Sequence, residues 1–159
     1  MKSRELRAEF DSAFARLPAE TGGGGERLIA IRIGGEAHAV RLREIAGVFA
    51  DRPITAVPSR SRALLGLAGV RGAVVPVFDL GALVGTAPAV SPRWIVIAAR
   101  QRLGFAFDAF EGHLALAEDT IVRAREGSAH VHEVARANDQ LRPIVLLESV
   151  IAALERKEA

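Results

Sequence analysis

Apolar side chains recur at helical spacing near the start of the chain. Leu6, Phe10, Phe14 and Leu17 follow one another at intervals of four, four and three, while Arg4, Arg7, Glu9, Asp11 and Arg16 fall mostly on other faces. The pattern predicts an amphipathic helix over residues 3–17 that Pro18 stops. Gly22 to Gly25 then make a linker that is costly in entropy to order, so the helix is expected to be a tethered accessory. A stripe this apolar on so short a helix is predicted to dock, either on the rest of the chain or on a partner.

From Leu28 the period drops to two. Ile29, Ile31 and Ile33 share a face, Gly34-Gly35 supplies a tight turn, and His38, Val40 and Leu42 align on the return, which predicts a β-hairpin. Short strands are expected over Gly47–Phe49 and Ile54–Val57, bounded by Pro53 and Pro58. Leu67–Arg71 and Ala73–Phe78 follow, joined at Arg71-Gly72. Asp79 stands where an N-cap belongs, before a short helix of Leu80, Leu83 and Val84 that ends at Gly85. Pro76 is expected on an edge strand or at a bulge, because it lacks the N–H of a fully paired central position.

The second half repeats this order about 65–70 residues later. Strands are expected at Trp94–Ala99, Leu103–Phe107 and about His113–Ala117. A hairpin of His130–Ala135 and Leu141–Leu147 turns at Asn138-Asp139, and a helix with Val150, Ile151 and Leu154 on one stripe closes the chain. The order of elements, and no residue identity, marks the repeat. Many short strands with small turns leave few open edges when the sheets close, so two small β-barrels side by side are predicted.

Composition narrows the class. The chain has 159 residues, half of them hydrophobic, enough for one ordinary domain or two small ones sharing a core. Cys is absent, which excludes a disulfide framework and a thiolate metal site. Charges interrupt the N-terminus where a signal peptide would be apolar, and no apolar run approaches the roughly 20 residues of a membrane span. A cytoplasmic protein is expected. The pI of 9.9 invites a nucleic-acid reading, yet Lys+Arg exceeds Asp+Glu by only two and the signs are interspersed. Arg41, Arg43, Arg52, Arg60, Arg62 and Arg71 come nearest to a cluster, among Glu44 and Asp51, and read as solvated surface and protein contacts.

Catalytic chemistry is not expected. His130-x-His132 before Glu133 lacks a third and fourth metal ligand nearby. No Gly-Lys-Ser/Thr follows the four glycines, and there is no Gly-x-Ser-x-Gly elbow. Neither a metal nor a cofactor is anticipated. A double-barrel nucleic-acid binder exploiting the arginines is the alternative to a protein-binding module, and it would need exposed aromatics for base stacking.

The run Leu65-Gly66-Leu67-Ala68-Gly69-Val70-Arg71-Gly72-Ala73-Val74-Val75-Pro76-Val77-Phe78-Asp79-Leu80 resembles the signature of the CheW-like chemotaxis adaptor family. That pattern is a Gly, an apolar stretch, Asn-Leu-Arg-Gly, a β-run with an internal Pro, and Asp-Leu. Residues 28–42 are similar to the family's opening hairpin, Gly104-Phe105-Ala106-Phe107-Asp108 to its later Gly-x-x-x-Asp strand, and 131–155 to its closing hairpin and helix. The chain departs from the pattern at Gly69 (Asn), Val70 (Leu), Gly47 (an acidic position) and His38 (an aromatic). The resemblance implies a domain over 27–156 of two five-stranded barrels, about 27–90 and 91–156, preceded by the helix and linker of 1–26. It also implies a non-enzymatic scaffold, without cofactor or metal, that binds the cytoplasmic tip of chemoreceptor hairpins and the regulatory domain of a CheA-type histidine kinase, with no membrane insertion of its own. The length leaves no room for a kinase or a receiver fusion, so a stand-alone adaptor is expected. On this resemblance Leu42, Ile45, Val48, Gly66 and Arg71 occupy positions of kinase contact or its support. Gly66 would let a partner backbone approach, and the Arg71 fork would fix orientation.

Overall fold

The computed structural model describes residues 25–89 and 92–158; the expected helix over 3–17 lies outside the described residues. The strands are β1 (Gly25–Ile33), β2 (Glu36–Arg41), β3 (Ile45–Ala50), β4 (Ile54–Thr55), β5 (Leu64–Val70) and β6 (Ala73–Asp79), then α1 (Leu80–Val84). A second series follows: β7 (Trp94–Ala98), β8 (Gly104–Phe107), β9 (Ala109–Ala117), β10 (Ile121–Ser128), β11 (Val131–Ala137), β12 (Gln140–Val145) and α2 (Leu147–Glu158).

Both two-residue turns with Gly-Gly or Arg-Gly, and that of Asn138-Asp139, hold both central residues at positive φ, the condition of the turns that match strand twist. Asp79 caps α1 as its position suggests, its Oδ1 accepting from the Gly81 N–H at 3.0 Å, and Gly85 ends the helix in the left-handed region at φ 83°. The long strand β10 has no sequence counterpart above. Ile121–Ser128 is almost wholly exposed, so no alternation of buried and polar positions announces it.

The strands form two six-stranded sheets, ordered β10-β11-β12-β2-β1-β9 and β3-β7-β8-β6-β5-β4. This corrects the expected five-stranded barrels: each sheet has six strands and two unjoined ends. Neither sheet comes from one half of the chain. The hairpin β1–β2 joins β9–β12, and the hairpin β7–β8 joins β3–β6, so each repeat lends its first hairpin to the other. Strand order is identical in the two sheets when the repeats are superimposed in sequence. Parallel pairs make both joints, β12 on β2 and β6 on β8.

Residue identity does mark the repeat after all. Pro76 pairs with Leu67 of β5, and the parallel pairing to β8 begins at the next residue, Val77. Pro143 pairs with Val134 of β11, and the pairing to β2 begins at Ile144. Each proline thus sits in an interior strand, not at an edge, but just short of where its second neighbour requires a ladder N–H.

Alternation places the core on both sides of each sheet. Ile29, Ile31, Ile33, Val96, Phe105 and Phe107 face a shared core between the sheets, completed by Leu147, Val150, Ile151 and Leu154 of α2. Burial of each such side chain is worth about 1.5–3 kcal/mol. The opposite faces bury smaller clusters, Leu28, Ala39, Ala135 and Ile144 in one sheet and Ala68, Val77, Ile95 and Ala106 in the other.

Two arginines are buried in the first sheet. Arg41, grouped above with surface arginines, donates from Nε to Glu26 and from Nη2 to Glu133, each at 2.6 Å. Although burial opposes its charge, these carboxylates raise its pKa further. Arg142 reaches from β12 across β2 and β1 to Glu111 on β9.

The first turn of α2 is capped from the far side of the chain. Glu44, in the 3-10 turn Leu42–Glu44, accepts from the Leu147 and Glu148 N–H groups at 3.4 and 3.2 Å. Burial raises its pKa against the pull of those hydrogen bonds. The folded chain therefore holds this proton more tightly than the unfolded one, so Glu44's contribution to stability rises as pH falls from its folded pKa toward the ordinary glutamate value. Glu44→Ala is expected to cost about 1–2 kcal/mol at neutral pH by urea denaturation, with exchange of the Leu147 and Glu148 amides accelerated first.

Candidate protein-binding site

Arg71 is exposed at the β5–β6 turn, held at φ 51° beside Gly72. Its guanidinium carbon lies 5.3 Å from the centroid of the Phe49 ring. Arg52 lies at the same 5.3 Å from that ring, so one arene carries two cations. Gly47 leaves room for this arrangement: a Cβ there would press on the Phe49 ring at 3.1 Å and come within 3.5 Å of Arg71 Nη2. Next to them opens a groove of about 240 Å³ lined by Ala46, Phe49, Val70, Val75 and Ile97, with Arg71, Arg100 and Arg102 on its rim. Val74 of the same hairpin is 68% exposed. An apolar floor edged by arginines, Arg71 among them braced on Phe49, suits a protein partner with apolar anchors and acceptors around them.

The other four expected contact positions lie behind this surface. Ile45 and Val48 are 8% and 3% exposed and belong to the shared core, with Leu42 packed against it. Gly66 is buried, and a Cβ on it would overlap the Thr55 carbonyl, so the backbone approach it permits is that of β4 within this chain. The family resemblance marks these positions along the chain but does not say which face the second sheet covers. The sequence groups Arg52 with the surface arginines and gives Phe49 only a strand position; the meeting of Arg52 and Arg71 on the Phe49 ring is what gives both a role.

Two further grooves flank α2 at the junction of the sheets. One, about 400 Å³, has Leu147, Ile151 and Ala152 on its floor and the mixed charges Arg43, Arg100, Glu148 and Glu155 around it. The other, about 670 Å³, lies between α1, α2 and the loop before β5. His130 faces the latter, with Nδ1 2.8 Å from Ser149 Oγ, whose hydroxyl donates to the Ala129 carbonyl. Its ring is thus engaged in fixing the β10–β11 turn to α2. The nucleic-acid alternative gains nothing from the aromatics among the described residues: Phe49, Phe78, Phe105 and Phe107 are buried, and Trp94 and Phe110 stack on each other at 5.4 Å. No helix among the described residues is long and apolar enough to cross a membrane.

Residues 27–155 match the model of the CheW-like domain. The chain belongs to the CheW-like domain family. Two curated relatives are a probable chemotaxis protein CheW of Rhizobium etli, 33% identical over 102 residues, and the chemotaxis protein CheW of Rhizobium meliloti, 29% identical over the same length. In both, the matched stretch covers 62% of this chain and 66% of the relative, just under two thirds of its length. The crystal structure of the scaffolding protein TtCheW from Thermoanaerobacter tengcongensis has the same fold, with a TM-score of 0.68 at 21% identity over 76% of this chain and 88% of that one. The exchanged hairpins and the shared core of this chain therefore belong to a CheW-like domain.

Proposed function

We propose that this chain is a non-enzymatic cytoplasmic adaptor that couples the tips of chemoreceptors to a CheA-type histidine kinase. The observation that carries the reading is the exposed Arg71, braced on Phe49 at the lip of an apolar groove, within a CheW-like fold. In this reading Arg71 contacts the kinase regulatory domain, while Leu42, Ile45, Val48 and Gly66 support the surface from within. The mixed-charge groove along Leu147, Ile151 and Ala152 takes the receptor's helical hairpin, since residues spaced by four on α2 form a ridge against which a second helix can pack.

Arg71→Glu is expected to weaken capture of the purified kinase regulatory domain by at least about tenfold, with the thermal transition unchanged because the side chain is exposed. Capture equal to that of the parent chain would remove Arg71 from the interface and with it this assignment of the surface.

A further inference from the structure

The larger groove beside α2 has a character that neither proposed interface uses. Charges of both signs alternate over most of the chain, whose net charge is only +2. Around this groove they do not. Its rim carries Arg60, Arg62 and Lys157, all exposed, and among the described residues no carboxylate lines it. Its floor is apolar, with Leu83 of α1 facing Ala153 and Leu154 of α2. The opposite flank of α2 instead interleaves Glu148 and Glu155 with arginines.

We propose that this groove is a docking site for an acidic amphipathic helical segment of a partner protein. Apolar side chains spaced by three and four would lie between α1 and α2, and carboxylates on either side would meet Arg60, Arg62 and Lys157. The volume, about 670 Å³, accommodates several such side chains. The local field agrees: burial lowers the His130 pKa, and Arg156, His132 and Lys157 lower it further, as expected of a wall that lacks anions. The chain's own N-terminal segment is a poorer complement. Residues 1–20 carry Glu5, Glu9, Asp11 and Glu20 but equally Lys2, Arg4, Arg7 and Arg16.

The test uses the full chain, labelled with 15N, and a synthetic peptide of about sixteen residues with Leu at the apolar helical positions and Glu at the others. A twin peptide carries Lys in place of Glu. The acidic peptide is expected to shift the amides of Ala63, Leu83 and Ala153, and the Lys twin is not. Arg60→Glu with Arg62→Glu should weaken the acidic peptide at least about tenfold, and added salt should do the same. Arg71→Glu should leave it unchanged, so failure here is separable from failure of the kinase interface. No shift, equal response to both peptides, or indifference to the double reversal overturns the proposal. So does movement of the same amides in Phe10→Asp/Phe14→Asp, which would show the groove already filled by the N-terminal segment.

Discussion

Arg142→Ala is expected to remove about 3 kcal/mol of folding free energy, a large share of the roughly 5–15 kcal/mol of an ordinary domain. The side chain is only 8% exposed and acts as a cross-tie in the first sheet. Nη1 donates to the carbonyls of Ile31 and His38, which face each other across β1 and β2, at 3.3 and 3.1 Å. Nη2 donates to Glu111 at 2.8 Å and to Gln140 at 3.1 Å. Truncation strands those acceptors. Glu111, whose side chain is 30% exposed, keeps its contact with Arg32 at 3.2 Å, so the loss lies toward the lower end for a broken buried pair. The thermal midpoint should fall by roughly 6–12 °C.

The pH dependence of the same network checks the cause. Partial burial alone would raise the Glu111 pKa, but hydrogen bonds and charge from Arg142 and Arg32 outweigh it and leave the carboxyl below its ordinary value. A depressed folded pKa means that the contribution of Glu111 is complete above its unfolded pKa, about 4.3, and is lost as pH falls through the folded value. Glu111→Gln should therefore be less stable than the parent at pH 7, and the gap should close as urea titrations move below about pH 4. A gap that stayed constant would show that charge at Glu111 contributes nothing.

Gly66→Ala is expected to cost about 2–4 kcal/mol. The residue sits at φ 149°, where only glycine is at ease, and the added methyl would overlap the Thr55 carbonyl on β4. Relief requires β4 to leave β5, so hydrogen exchange should accelerate first at Ile54 and at Ala68 and Leu67, which pair with β4. Binding of the kinase domain, measured per folded molecule, should survive better than in Arg71→Glu. Unchanged stability with lost binding would instead return Gly66 to the interface as the point where a partner backbone comes close.

The turns, the cap of α1 and the stripe of α2 are legible in the sequence because their causes are local. Positive φ favoured Gly-Gly, Arg-Gly and Asn-Asp turns, Asp79 could reach the second residue of its own helix, and Val150, Ile151 and Leu154 defined one helical stripe. The Arg71 turn was visible for the same reason. The brace of Phe49 and Arg52 was not, because it joins the end of one strand and the following loop to a turn some twenty residues later.

Alternation and turn chemistry along the chain thus determined most of the strands and both described helices, the exposed β10 excepted, and a single motif around Arg71 marked the family. Tertiary structure alone decided the partners of those strands. A period of two says that a face will be buried but is silent on what buries it, and hairpins β1–β2 and β7–β8 could be placed in opposite sheets with no change in local pattern. The same silence hid the burial of Arg41 and Arg142, turned Ile45 and Val48 inward, and left Arg71 facing solvent. Exposure is a property of the packed whole, because a side chain loses water only when residues distant in sequence arrive over it.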